Sequence, residues 1–237
     1  MPHFPFQRLQ AELAVLIAGT PAGKRLPSEP ELAKQLGVSR ATLREAMRTF
    51  ETRGLIRRHQ GSGTFVVGQV PVINGGLEIL ESLETMAKRM NLEISVSDLR
   101  VERLYADQEL TDSLGVPLAS NLTRVQRIMS TGKRPVAFLV DILPEDVFNP
   151  KQLPENFRGS VLDFLLERGD SLTMARATIS AIDAPADVAK ALEIQRGDVL
   201  LHFTSQLFLA NGRVVDHSFS YFLPGYFHFH ILRRIGS

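Results

Sequence analysis

Between Leu26 and Val66 the chain reads LPSEPELAKQLGVSRATLREAMRTFETRGLIRRHQGSGTFV, and no other stretch limits the possible folds so tightly. Ser28 and Glu31 have capping-box spacing: a hydroxyl meets a free backbone N–H of the first turn, and the carboxylate reaches back to the cap. Leu32, Ala33 and Leu36 then supply one apolar helical face, and Gly37 can take the left-handed backbone that ends a helix. Ser39 is placed to cap a second helix, predicted over Arg40–Thr52. Its buried stripe is Leu43, Ala46, Met47 and Phe50, which leaves Arg40, Thr42, Arg44 and Arg48 pointing outward. After Gly54, two extended runs, Leu55–His59 and Gly63–Val67, meet at Gln60-Gly61-Ser62 in a hairpin shaped like a wing. A helix that presents Arg and Thr from its N-terminal end after a tight turn suits a DNA major groove.

Taken in order, LPSE, the ELA of the next turn, LGVSR, TLREAM and GLIRRHQGSGTFV resemble the winged-helix head of the GntR family of bacterial transcription regulators. The resemblance implies that Arg40, Thr42 and Arg44 face base edges and phosphates, and that Gln60 and Gly61 sit at the wing tip in the minor groove. Arg48 and Arg58 complete the expected DNA-binding set. One departure stands out. The family usually has Arg after the LPSE glutamate, where this chain has Pro30. Proline is comfortable early in a helix, because the N–H it lacks has no intrahelical partner there, but it brings no phosphate contact.

Charge follows the same division. Residues 1–70 hold 10 Lys/Arg against 5 Asp/Glu, while residues 71–237 hold 17 against 21. A basic head on an acidic body is what a phosphate-binding module joined to a module of another kind should show. The chain has no cysteine, which excludes disulfides, thiolate metal sites and a cysteine nucleophile. No apolar run approaches the ~18 residues of a membrane span, and the start lacks signal-peptide character. The expectation is a soluble cytoplasmic protein.

Phe4–Ala18 carries Phe6, Leu9, Leu13, Leu16 and Ile17 at helical spacing, a first helix to brace the other two. The glycine- and proline-punctuated residues 68–76 read as a linker, giving a head over residues 1–67 and a second domain over 77–237. In that domain Leu77–Met90 reads as a helix with Leu80, Leu83, Ala87 and Met90 on one face. An extended segment follows over Glu93–Ala106, then a short helix over Asp107–Leu114 closed by Gly115. Leu122–Ser130 and Val136–Leu143 flank a polar turn and read as a hairpin. A helix over Ser160–Arg168, strands over Leu172–Ile182, Val199–Ala210 and Val214–Leu223, and a helix over Ala184–Leu192 complete the pattern. The fold class is therefore α+β: a winged helix-turn-helix head, then a mostly antiparallel sheet with helices on one side.

This second part resembles the UTRA effector domain of the HutC subfamily, whose fold is that of chorismate lyase. The residues that carry the likeness are Arg127 ahead of Gly132-Lys133-Arg134-Pro135, Ser160-Val161-Leu162 opening a helix, and Ile179-Ser180-Ala181. They continue in Ala189–Leu192 with Gly197-Asp198, and in Gly212-Arg213-Val214-Val215-Asp216-His217-Ser218. In that family a small effector lies across the sheet, held by an arginine of the central hairpin and a carboxylate of the last strand. The resemblance implies Arg127 and Asp216 for these, with Ser160 at a helix start and Ser82 on the linking helix. Strand parity adds Ser218 to the face of Asp216.

A guanidinium holds a carboxylate or phosphate bidentately, so the expected effector is an anionic metabolite. The chain has Met129 where sugar-phosphate-sensing members carry a second arginine, and Leu139 where some carry a carboxylate. The expected anion is therefore singly charged or more apolar. The competing reading of Arg127 is an ion pair with a nearby Asp or Glu. His228 and His230 share one face of any strand, but Phe227, Phe229 and Ile231 alternate with them as in a half-buried strand, and zinc wants three or four ligands. No metal and no cofactor are expected. No nucleophile elbow, phosphate-cradling glycine loop or catalytic carboxylate pair appears, so the chain reads as a regulator rather than an enzyme. The alternative is a chorismate-lyase-like enzyme domain fused to a DNA-binding head. The expected partners are a palindromic double-stranded operator, a second copy of the chain and the effector.

Overall fold

Three helices and a hairpin form the first of two units into which the chain divides. The computed structural model describes residues 5–59, 62–67, 72–155 and 157–233. The first unit takes in residues 1–72 with 224–226, the second residues 73–223 with 227–237.

In the first unit α1 spans Pro5–Gly19, α2 Glu29–Gln35 and α3 Arg40–Thr52. The Glu31 carboxylate accepts from the Ser28 N–H at 2.8 Å and from its hydroxyl at 2.7 Å, fixing the start of α2. Gly37 takes a φ of +66° after α2. Ser39 caps α3 by accepting from the Thr42 N–H at 3.1 Å. Leu43, Ala46, Met47 and Phe50 are buried against Leu9, Leu13 and Ile17 of α1 and Leu32 of α2. Each such leucine contributes roughly 1.5–3 kcal/mol on leaving water. Strands β1 (Ile56–His59) and β2 (Gly63–Val66) pair antiparallel to make the wing.

The second unit is built on a six-stranded antiparallel sheet. Its strands are β4 (Ile94–Tyr105), β5 (Asn121–Thr131), β6 (Arg134–Pro144), β7 (Leu172–Asp183), β8 (Val199–Leu209) and β9 (Val214–Phe222), in the order β4-β5-β6-β9-β8-β7. Among the described residues four α-helices accompany it: α4 (Leu83–Arg89), α5 (Gln108–Leu114), α6 (Val161–Arg168) and α7 (Ala186–Ala191).

Three expectations need correction here. The helix expected over Leu77–Met90 begins only at Leu83. Ser82 is extended and serves as its cap, accepting from the Thr85 N–H at 3.0 Å, so the helix cannot run back through it. Leu80 is instead 52% exposed. Second, Ile73–Gly76 is not linker but strand β3, paired in parallel with β10 (Phe227–His230). Residues 68–71 of the expected linker lie outside the described residues. A Cβ on Gly75 would fall 2.8 Å from Met86 Sδ, so glycine is what allows α4 to lie on this strand. Third, the helices do not all lie on one side. Leu83, Met86 and Ala87 of α4 pack on Met129, Leu139 and Phe203, and Val161 and Leu165 of α6 pack on Val125, Leu143 and Leu207. Leu110 and Leu114 of α5 pack on Leu122 and Ile142, which have the opposite strand parity. Central strands β5 and β6 are buried almost along their length, so both faces need a cover.

Candidate DNA-binding surface and effector site

Arg40 and Thr42 are exposed at the start of α3, where the Ser39 cap holds the backbone still. Arg44, one turn further on, donates from Nε to Glu29 Oε2 at 2.6 Å. Glu29 is the first residue of α2, and its other oxygen lies 3.7 Å from Arg58 Nε on the wing strand β1. Glu51 is at the same distance from Arg58, and Arg48 is 3.5 Å from Glu45. Glu29 thus ties the recognition helix to the wing through two arginines. Gln60 and Gly61 lie outside the described residues. Arg25, passed over in the sequence, runs along the wing: it bridges to Phe65, and a Cβ on Gly63 would meet its guanidinium at 2.4 Å.

In the second unit strand parity assembles a polar strip between two apolar patches. Arg127 comes between Val125 and Met129 on β5, and Asp141 between Leu139 and Leu143 on β6, all on the face that α4 and α6 cover. Register places Asp141 beside Ser218 of β9, with Asp216 two residues along on the same face. Arg127 donates from Nη1 to Asp141 Oδ2 at 2.5 Å, with side chains only 7% and 13% exposed. Glu84, in the first turn of α4, comes within 3.8 Å of Arg127 Nε. Asp216 is buried with its Oδ1 unpartnered, and neither Glu84 carboxylate oxygen has a hydrogen-bond partner.

The starts of α4 and α6 converge above this strip. Ser82 donates to Asp163 Oδ2 at 2.7 Å, and Ser160 caps α6 by accepting from the Asp163 N–H at 3.2 Å. Gly159, at a φ of +102°, leaves room for the arginine: a Cβ there would meet Arg127 Cδ at 2.8 Å.

The electrostatics follow from this crowding. Burial works against the Arg127 cation, but Asp141, Glu84 and Asp216 outweigh it and hold the guanidinium firmly charged. Burial pushes Asp216 well above the usual carboxylate range; the Asp141 charge adds to this, while Arg127 and a hydrogen bond from the Ile142 N–H oppose it. Glu84 is also raised, chiefly by burial, with Arg127 acting the other way. Each carboxyl is therefore easier to protonate than in water and gains more from a positive neighbour.

Of the expected effector residues, Arg127 and Asp216 come together and Ser218 joins their face. Ser82 and Ser160 stand at the two helix starts with their oxygens engaged as caps. Glu84 and Asp141 were missed. Asp141 was legible in principle: alternation puts it on the same face as Leu139, which is the direct register partner of Arg127. Glu84 was not, because its approach depends on where α4 starts. The ion-pair reading of Arg127 holds for Asp141, though the pair is buried rather than on the surface. His228 and His230 are on the exposed side of β10, and His228 Nδ1 lies 3.0 Å from Asn74 Oδ1. Among the described residues no cluster of His, Asp and Glu has metal-site geometry.

Comparison with known proteins matches residues 89–228 to the UTRA domain and residues 7–66 to the bacterial regulatory proteins of the gntR family. The chain is a gntR-family regulator with a UTRA domain. It is 29% identical over 196 residues to the HTH-type transcriptional repressor NagR of Bacillus subtilis, covering 81% of this chain and 79% of that one. An HTH-type transcriptional regulator of Mycobacterium tuberculosis is 29% identical over 202 residues, covering 83% and 72%. The structure of PhnF from Mycobacterium smegmatis shares the fold, with a TM-score of 0.66 at 23% identity over 96% of this chain and all of that one. The UTRA regulator therefore binds DNA through its winged helix-turn-helix head and controls transcription. No helix among the described residues is long and apolar enough to cross a membrane.

Proposed function

We propose that this UTRA regulator is a homodimeric cytoplasmic repressor that holds a palindromic operator and releases it when a small molecule occupies the site around Arg127. Arg40, Thr42 and Arg44 read bases and nearby phosphates from α3, while Arg48 and Arg58 hold phosphates, with Gln60 and Gly61 entering the minor groove. One head offers too few base contacts for a unique site, so two copies on a two-fold operator are the economical solution. The observation that carries the effector assignment is the buried Arg127, hydrogen-bonded to Asp141 and set near three unpartnered carboxylate oxygens of Asp216 and Glu84, beneath the starts of α4 and α6. Buried polar groups are nearly always satisfied, so unpartnered ones on a helix-covered face call for a partner, and a small molecule with polar groups would supply it. Asp216 and Ser218 line it, with Ser82 and Ser160 at its rim.

The UTRA domain acts as a binding module without turnover, since a fold shared with an enzyme carries no chemistry by itself. Chorismate offered to the protein should be recovered intact, and release of pyruvate above background would contradict this. The effector assignment is tested by metabolite-driven dissociation of labelled operator. A metabolite should release DNA from the wild type and lose that effect in Asp216→Asn. Release at equal concentration from both proteins would move the effector site elsewhere.

A further inference from the structure

The charge around Arg127 points away from the anion expected from that residue alone. Asp141 already neutralises the guanidinium through a direct hydrogen bond, and Glu84 and Asp216 remain on its other sides. The position that could carry a second arginine is Met129, 1% exposed in the apolar cluster beneath α4. An incoming phosphate would find one unpartnered N–H, at Arg127 Nε, set among three carboxylates. An incoming cation would find acceptors waiting: Asp216, only 6% exposed, has an unpartnered Oδ1, and both oxygens of Glu84 are unpartnered too.

The geometry points to an effector that carries a cationic nitrogen, an ammonium or guanidinium, seated on Asp216 and Glu84. The inference rests on reading the second unit as the effector domain. Arg127 then serves to orient: it holds Asp141 by a direct hydrogen bond, and Asp141 in turn shares a hydrogen bond with Asp216. A charge-assisted hydrogen bond in so dry a setting is stronger and more selective than the same contact in water.

The bound nitrogen replaces protons. Burial raises the pKa of Glu84 and of Asp216, so each holds a proton more readily than an exposed carboxylate and a cation here competes with that proton. The charged groups that face them are Arg127 from β5, Asp141 from β6 and Asp163 from α6. Affinity for the cation must therefore rise with pH as these two carboxyls ionise, and binding must release protons.

The experiment uses the full chain and three probes of one carbon skeleton, cadaverine, pentanediol and glutarate, by calorimetry at millimolar concentration. Cadaverine should bind, pentanediol and glutarate should not, and cadaverine affinity should fall about tenfold or more in both Asp216→Asn and Glu84→Gln. Heat measured in buffers of different ionisation enthalpy should show proton release in the wild type and less of it in each variant. No cadaverine binding, or binding unaffected by both substitutions, overturns the inference. Glutarate binding that Arg127→Lys abolishes also overturns it, yet leaves the effector-domain reading standing. Cadaverine bound as expected but without release of operator supports the cation site and removes the regulatory role proposed for it.

Discussion

Arg44 in the head and Arg127 in the effector domain each donate one short hydrogen bond to a carboxylate, at 2.6 Å and 2.5 Å. Their side chains are 55% and 7% exposed, and that contrast separates their uses. A pair in water is worth about 0–1 kcal/mol, because the solvent screens it and would solvate each partner well. Arg44 can therefore exchange Glu29 for a phosphate or a base edge at little cost. Glu29 presets its direction and competes weakly with nonspecific phosphates. A buried pair has no such freedom, since removing one partner strands the other. Arg127 is held in place, and the ligand proposed here meets the carboxylates around it. Exposure, more than the type of pair, decides whether an arginine is the contact or the scaffold.

The largest expected effect would break this contrast if it failed. Arg127→Met leaves Asp141, Glu84 and Asp216 without their cation and should cost about 3–5 kcal/mol of stability in the effector domain, read by urea unfolding. Arg44→Ala should change stability by less than ~0.5 kcal/mol while weakening operator binding by about 1–3 kcal/mol. Equal stability losses in the two variants would mean that burial is not what separates them.

Gly159→Ala sharpens the claim that the arginine's seat is shaped. Alanine at a φ of +102° with its Cβ 2.8 Å from Arg127 Cδ should cost about 1–3 kcal/mol. A neutral result would show that Arg127 can shift without penalty.

Asp216→Asn should act in the opposite direction. A carboxyl whose folded pKa lies above its unfolded one destabilises the fold as pH rises, beginning near the unfolded value and fully above the raised one. The amide escapes this, so the variant should be more stable at neutral pH by about 1 kcal/mol, or ~2–4 °C in melting temperature. The gain should shrink as pH falls below the raised pKa and vanish below the ordinary carboxylate range. Stability equal to the wild type at every pH would show that the site carries no electrostatic strain.

The smallest effect belongs to the exposed pair. Glu29→Gln should alter stability by less than ~0.5 kcal/mol, yet free Arg44 to meet any phosphate and leave Arg58 with Glu51 alone. Affinity for scrambled duplex should rise severalfold, with less gain on operator, in filter binding over a salt series. Unchanged binding to both would leave Glu29 with no part in presenting the arginines.

The head was legible in the sequence because its determinants are local. Ser28, Glu31, Gly37 and Ser39 mark helix ends within a few residues of themselves, and the stripe from Leu43 to Phe50 needs only helical spacing. The hairpin of β5 and β6 was legible for the same reason, its turn lying between two apolar runs. What escaped depends on contacts far along the chain. Ile73–Gly76 looks like linker until Phe227–His230 comes alongside it. Leu77–Met90 has helical spacing throughout, but Ser82 is claimed both as a cap and by Asp163, so the first turns are lost. At the site, Arg127 and Asp216 were expected from a resemblance, whereas the places of Glu84 and Asp141 needed the register and the position of α4. Those two are what the proposal of a cationic ligand rests on.

The central claim is that the carboxylate-ringed Arg127 site senses the molecule that frees the head from DNA. It is tested most directly by fluorescence titration of a duplex selected by the full chain from a random pool. Small cationic, neutral and anionic metabolites are added to the wild type and to Asp216→Asn and Glu84→Gln proteins that still bind the duplex. The account predicts that a nitrogen-bearing cation releases DNA from the wild type and that both variants need at least about tenfold more of it. Release of all three proteins at the same concentration would contradict it.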